Sequence, residues 1–227
     1  MNSLISSNHS VSILKQPVEY ITLEEKNKLK AAVDIWLAQG RTKPTERRKA
    51  IAERDKLLIE WLWNTGMRIT DALNTHFRDI DMTKESVTFW VKKRKKSHTI
   101  SLDKSILFEV QRYKEMFFFK PEAFIFKMSK QNAWMQIDNY AEIAGFPLKT
   151  RTYTIKKGKN KGKVVVTKSH CHPHLLRHGR ARQDMIDGIP LPITSYRLAH
   201  SSTAITADIY QRVDENIERA FREKKRV

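Results

Sequence analysis

A single cysteine among 227 residues, Cys171, rules out an internal disulfide framework and fits a reducing compartment. No apolar stretch nears the roughly 20 residues that span a bilayer, and the N-terminal MNSLISSNHSVSILKQ has neither the basic start nor the long apolar centre of a signal peptide. A soluble protein of the cytoplasm, with no membrane partner, is expected. Negative charge is also scarce: 25 acidic residues face 43 lysines and arginines, for a formal net charge of +18 and a pI near 10.0. A field of that sign and size points to a polyanion. Generic solubility is the blander reading, but the basic excess is gathered into short runs, which favours nucleic acid.

A chain of this length buries a good core, and one large domain with an arm accounts for it. Residues 1–18, rich in Ser and Asn with isolated apolar positions, are expected to form the arm, and residues 19–227 the domain. TLEE is a capping box, with Thr22 as N-cap and Glu25 at N3; Leu29, Val33, Ile35 and Trp36 follow at helical spacing, and Gly40 is the expected stop. A second helix is expected from near Thr45 to a C-cap at Gly66, apolar enough at its end to be central. In the MRITDAL that follows, Thr70 can cap a short third helix, with Arg68 in the turn before it. An arginine between two helix ends in apolar surroundings suits an anionic target, the alternative being a salt bridge to Asp71 or Asp79.

SVTFWV (86–91) and HTISL (98–102) read as paired strands, joined by a turn of cations, Lys92, Lys93, Arg94, Lys95 and Lys96. A rigid turn of this kind reads as a phosphate-facing device. Helices are expected over Ser105–Phe118 and Lys130–Ala144, the second with Trp134, Ile137 and Tyr140 inward, and the aromatic run MFFFK is assigned to the core. TYTIKKGKNKGKVVVT is a hairpin pattern carrying Lys156, Lys157, Lys159, Lys161 and Lys163, read as a second DNA-facing finger.

The chemistry is concentrated in His174–Tyr210. His174 and Arg177 share a helix face, His200 follows a short helix over Thr194–Leu198, and Tyr210 comes ten residues later. Cationic groups grouped with a phenol suggest phosphoryl transfer through a tyrosyl ester. HCHPHLLRH also invites a zinc hypothesis, but it lacks paired ligand elements at the usual spacing, so no metal is expected. The amphipathic tail DENIERAFREKKRV is suited either to its own core or to a neighbouring protomer.

Together these motifs resemble the tyrosine recombinase, or phage integrase, family. The resemblance runs from Thr22 past Tyr210 and rests on four features: TGMRITDAL, where the family shows TGxRxxEx; the lysine hairpin; HLLRH at 174–178; and HSSTAITADIY, a His, nine residues and then the Tyr. It implies a mainly α fold with small β-sheets and hairpins (α+β), the catalytic domain of that family. It also implies a site-specific recombinase of double-stranded DNA, acting as a homotetramer on two sites and associated with the nucleoid. Position by position it implies that Arg68 and Arg177 clamp the scissile phosphate, with His200 as a third donor. Tyr210 is the implied nucleophile, and His174 the group that accepts its proton or holds the phosphate. Lys93 is the implied acid for the leaving 5′-oxygen, with Lys92, Lys95 or Lys96 if the turn is shifted by a residue. No cofactor is called for, since phosphoryl transfer rewards positioning and charge stabilisation that these side chains supply.

Departures from the family pattern are Ala199 for a usual Gly, Asp71 for a usual Glu, Pro190 and Pro192 on the approach to His200, and a long 151–167 hairpin. Only the arm precedes Thr22, so the chain is expected to resemble short members without a separate N-terminal core-binding domain, such as fimbrial-switch invertases; the alternative is an excised fragment, against which its initiating Met favours a natural short protein. Type IB topoisomerase chemistry is the enzymatic alternative, and a non-catalytic DNA-binding regulator the other.

Overall fold

The structure, a computed structural model, describes residues 19–39, 43–91, 95–155 and 160–200. The expected arm, Gly40, Lys92, Lys93, Arg94, Lys156, Lys157, Lys159, Tyr210 and the tail lie outside the described residues.

Helix α1 (Leu23–Ala38) starts where the capping box predicts: the Thr22 hydroxyl accepts from Glu25 N at 3.1 Å and the Glu25 carboxylate accepts from Thr22 N at 2.7 Å. Helix α2 (Glu46–Thr65) is capped by the Thr45 hydroxyl and ends at Gly66 in the left-handed conformation, φ 62°. Ile59, Trp61 and Leu62 of α2 are fully buried, and α1, a fourth helix and a sixth pack around it. The one-turn α3 (Ile69–Ala72) follows at once. Its N-cap position is Arg68 rather than the expected Thr70, because the chain re-enters helical geometry one residue after the Gly66–Met67 turn.

Three short strands come next, β1 (Ile80–Asp81), β2 (Ser86–Val91) and β3 (Lys96–Ser101), in an antiparallel sheet ordered β1-β2-β3. Alternation in β2 buries Val87, Phe89 and Val91, and their partners Ile100 and His98 of β3 face the same way. Strand β3 begins two residues earlier than HTISL suggests, since Lys96 pairs with Val91.

Helix α4 (Lys104–Met116) leads to the MFFFK run, where the core assignment is half right. Phe117 and Phe119 pack on the core, but Phe118, held at φ 53°, is 92% exposed and Met116 is 46% exposed. Helix α5 (Lys130–Ile143) buries Ala133, Ile137 and Tyr140, with Trp134 only half-buried. A two-stranded sheet, β4 (Lys149–Thr154) with β5 (Val164–Ser169), then α6 (Pro173–Ile186) and α7 (Leu191–Arg197), complete the described chain. Helix α6 begins at Pro173, whose missing N–H costs nothing in a first turn.

Two features fix how the core closes. Tyr140 donates to Asp55 at 2.7 Å inside the protein, joining α5 to α2, and burial pushes the Asp55 carboxyl above its usual range despite the neighbouring Arg54. Gly179 lets α6 approach α2 closely: a Cβ there would collide with the Ile21 carbonyl and lie 2.6 Å from the Trp63 ring. Gly179→Ala should therefore lower stability by about 1–3 kcal/mol, the usual cost of overpacking, read as a drop in denaturant midpoint.

Candidate functional site

The site forms where the ends of α2, α6 and α7 meet. Arg177 on α6 is 5% exposed, and both its terminal nitrogens donate to backbone carbonyls: Nη1 to Gly66 O at the end of α2, Nη2 to Leu198 O just past α7. Gly66 is needed twice over, for its left-handed φ and because a Cβ would strike the Leu198 side chain. Arg68 leaves the same turn. Its Nη1 lies 3.9 Å from Asp71 Oδ2, too far for a hydrogen bond, and this buried nitrogen has no hydrogen-bond partner. The salt-bridge alternative is thus present only as a long contact. Burial first and the Arg68 charge second push the Arg177 guanidinium down to about 9, still cationic at neutral pH.

His174 sits one turn before Arg177 on α6. Burial lowers its basicity, and the charges of Arg177, Arg68 and Lys130 lower it further, so the imidazole is neutral at pH 7. The entry to α6 is held by Asp138, whose carboxylate accepts from His170 N at 2.6 Å and Cys171 N at 3.0 Å. Aromatic packing then sets the imidazoles: Trp134 stacks on His172 (5.1 Å, 13°) and meets His174 edge-on at 6.4 Å, while His174 and His178 lie 6.5 Å apart. Among the described residues no group of three His, Cys, Asp or Glu is arranged to hold a metal ion.

Helix α7 is fastened to α6 through the fully buried Asp184, which accepts from Thr194 Oγ1 at 3.0 Å and pairs with Arg180 and Arg197 at 2.7 Å. Pro190 stands at its N-cap position and Pro192 in its first turn, so the prolines start this helix and do not disturb it. His200 follows two residues after the carbonyl that binds Arg177, with its N–H on Ser195 O at 3.1 Å. Between them Ala199 is buried at φ 48°, the left-handed region in which a glycine is at ease. The same end of α7 is bound to the first hairpin. His98 Nε2 is 2.7 Å from Tyr196 O, and the Tyr196 hydroxyl donates to Thr99 O at 2.8 Å.

The structure thus brings Arg68, His174 and Arg177 together, with His200 on the adjoining turn. Lys95 and Lys96 are exposed where the first hairpin turns, and Lys161 and Lys163 are exposed on the second. The sequence reading passed over Asp184, the His98–Tyr196 tie and the Trp134–His172 stack. Each joins residues distant along the chain, and no local spacing signals them.

Burial of the imidazoles has a consequence for acid stability. The unfolded chain takes up these protons near pH 6.5, whereas burial pushes folded His172 and His178 down to about 4. The unfolded state therefore binds more protons across that interval, and stability falls as pH is lowered through it. The paired carboxylates of Glu53 and Glu60, lowered from 4.5, add their loss only below that value. Denaturant midpoints should decline between about pH 6.5 and 5, and decline less in His178→Leu; an unchanged slope in that variant would show the ring is not held neutral.

Known proteins match this chain in sequence and in fold. Residues 23–216 match the model of the phage integrase family. The tyrosine recombinase XerA of Pyrococcus horikoshii is 26% identical over 168 residues, 70% of this chain and 50% of that protein. XerD of Neisseria meningitidis serogroup B is 24% identical over 175 residues, with the same shares. The chain spans about half the length of these curated relatives. Among solved structures, the fold matches a crystal structure of XerA recombinase with a TM-score of 0.65 at 16% identity, covering 93% of this chain and 66% of that one. The catalytic domain of bacteriophage HP1 integrase matches with a TM-score of 0.54 at 16% identity, covering 90% and 94%. Since the family model takes in the arginine turn, both hairpins and the α6–α7 corner alike, the chain belongs to the phage integrase family.

Proposed function

We propose that residues 19–227 are the catalytic domain of a site-specific DNA recombinase, with residues 1–18 an arm, and that Arg68, Lys93, His174, Arg177, His200 and Tyr210 perform the reaction. One observation carries this reading: two guanidinium groups and a neutral imidazole converge at one corner, with a buried Arg68 nitrogen lacking any acceptor. Like charges gather against their own repulsion where an anion completes the set, and a buried donor without a partner costs about 1–3 kcal/mol unless a ligand satisfies it. The planar guanidinium fork suits two phosphate oxygens and stays charged at any working pH.

In the proposed step, the Tyr210 oxygen bonds to phosphorus as the bond to the 5′-oxygen breaks, leaving a 3′-phosphotyrosyl ester and a 5′-hydroxyl. His174, held neutral, takes the phenolic proton, and Lys93 delivers one to the departing oxygen. Arg68, Arg177 and His200 hold the non-bridging oxygens as charge builds on them. The ester conserves the energy of the broken link, so a second 5′-hydroxyl can rejoin the strand by the reverse path without ATP. Lys92, Arg94, Lys95 and Lys96 on one hairpin, and Lys156, Lys157, Lys159, Lys161 and Lys163 on the other, would hold the sugar-phosphate backbone.

DNA as the partner draws support from similar folds solved on DNA, among them XerH site-specific recombinase bound to difH substrate and a lambda integrase dimer bound to a core site. Four protomers on two sites, acting at the nucleoid, is the assembly we propose. The relatives reported above are named recombinases, which favours that reading over the topoisomerase alternative.

Two experiments test the chemistry. Tyr210→Phe should bind DNA as the parent does yet form no covalent complex on a nicked suicide substrate; covalent product in that variant would move the nucleophile elsewhere, Tyr196 being the first candidate. Lys93→Ala should slow cleavage by about 10²- to 10⁴-fold on ordinary DNA, and a 5′-thio leaving group, which needs no proton, should restore the rate. Rescue of Lys95 or Lys96 variants instead would shift the register of the turn.

A further inference from the structure

Helix α7 is held in place almost without apolar packing. Its 7 residues are too few to form a stable helix alone; those it buries are Thr194 and Ser195, while Ile193 and Tyr196 are 52% and 59% exposed. Polar contacts must therefore place it. Strand β3 grips Tyr196 from one side. From the other side Asp184 of α6, fully buried, accepts from Thr194 Oγ1 at 3.0 Å through Oδ2 and from Arg197 Nη1 at 2.7 Å through Oδ1. Arg180, one turn back on α6, reaches the same Oδ1 at 2.7 Å. One carboxylate thus answers two guanidinium groups and a hydroxyl, on both helices. A buried ion cluster is a weak source of net stability, because desolvation offsets its attraction, but charge-assisted bonds hold their members to a narrow geometry.

The turn that follows α7 inherits this geometry. The N–H groups of Leu198, Ala199 and His200 donate to the carbonyls of Thr194, Tyr196 and Ser195 at 2.9, 2.8 and 3.1 Å, so the turn hangs on residues that Asp184 and β3 hold. Leu198 O accepts in its turn from Arg177. Arg177 and Asp184 stand seven residues apart on α6, two turns along one face and about 10 Å along the axis. The same face of α6 therefore carries a proposed phosphate ligand and the anchor of the helix that orients it. We propose that Asp184 is a positioning residue of the reaction: by pinning α7 it holds Leu198 O against Arg177 and sets His200 at the corner. It touches neither substrate nor reacting atoms, and it acts through the turn at 198–200.

This inference rests on the proposed strand-cleavage chemistry, and its test separates the two. The full chain would be assayed for covalent-complex formation at saturating protein on a nicked suicide substrate, with either an ordinary phosphate or a methylphosphonate at the position where the parent is trapped. The methyl group removes the charge of one non-bridging oxygen, so the rate depends less on how well that oxygen is clamped. Asp184→Asn, which keeps the shape but cannot answer two guanidinium groups, should slow the reaction about 10- to 100-fold on the phosphate and less than about threefold on the methylphosphonate. DNA affinity, measured with Tyr210→Phe added, should change by less than about threefold in the same variant. Thr194→Val, which leaves the arginines paired and removes only the hydroxyl, should show the same substrate dependence on a smaller scale, and it keeps the test available if Asp184→Asn does not fold. Gly179→Ala, a packing change elsewhere on α6, should affect both substrates alike. Equal slowing on the two substrates in the Asp184 and Thr194 variants, or no slowing in either, would overturn the proposal. If the parent forms no covalent link at all, the proposed reaction falls and hydrogen exchange judges the tie alone: faster exchange of the Leu198 and His200 amides in Asp184→Asn or Thr194→Val supports it, and unchanged exchange overturns it.

Discussion

The corner depends on one buried guanidinium. By donating to Gly66 O and Leu198 O, Arg177 ties the end of α2 to the end of α7 across its own helix, and it can do so because the fork of its donors is rigid. Removing it would leave two carbonyls without partners and release the turns that carry Arg68 and His200. The remaining N–H groups are what a phosphate would meet. One side chain on α6 thus fastens the end of α2 to the end of α7, and under the proposed function the same group would also bind charge, which would make stability and function inseparable at this position.

Charge is distributed by use. Between α1, α2 and α4 the cations are matched: Lys26 and Lys30 to Glu60, Lys56 to Glu53 and Asp34, Arg112 to Glu53 and Glu109. These pairs are largely sheltered from solvent, Lys26 with Glu60 most of all, and each cation is neutralised where it sits. Near the corner Asp138 is committed to the start of α6 and Asp184 to α7, Asp71 lies beside the guanidinium groups, and burial lowers the basicity of His172, His174 and His178. The chain as a whole carries a net charge of +18, a field of the sign that draws a polyanion.

Much of this was legible in the sequence, for reasons that are local. The reciprocal cap of Thr22 and Glu25, the left-handed stop at Gly66 and the alternation of β2 depend on a few adjacent residues, and they stand where the pattern put them. Arg68, His174 and Arg177 were found because a resemblance supplied their order, and the packing then brought them together. Errors arose where tertiary contacts override propensity. Thr70 looks like a cap, but the tight turn leaving α2 starts the helix sooner. Phe118 looks like core, but its left-handed backbone points it into solvent. Ala199, a mild departure on paper, occupies the conformation that makes glycine the family's usual choice. Asp184 and the His98–Tyr196 tie had no signature at all, because a buried ion cluster or a ring on a carbonyl is a property of three-dimensional neighbours.

That tie makes one body of two parts, the first hairpin and the end of α7. The strand leading out of the lysine turn grips Tyr196 through both its carbonyl and its hydroxyl, four residues before His200. Any swing of the hairpin must drag the end of α7 with it, and through Leu198 O the strain reaches Arg177. The first hairpin, the end of α7 and the Arg177 guanidinium therefore form one mechanically continuous unit.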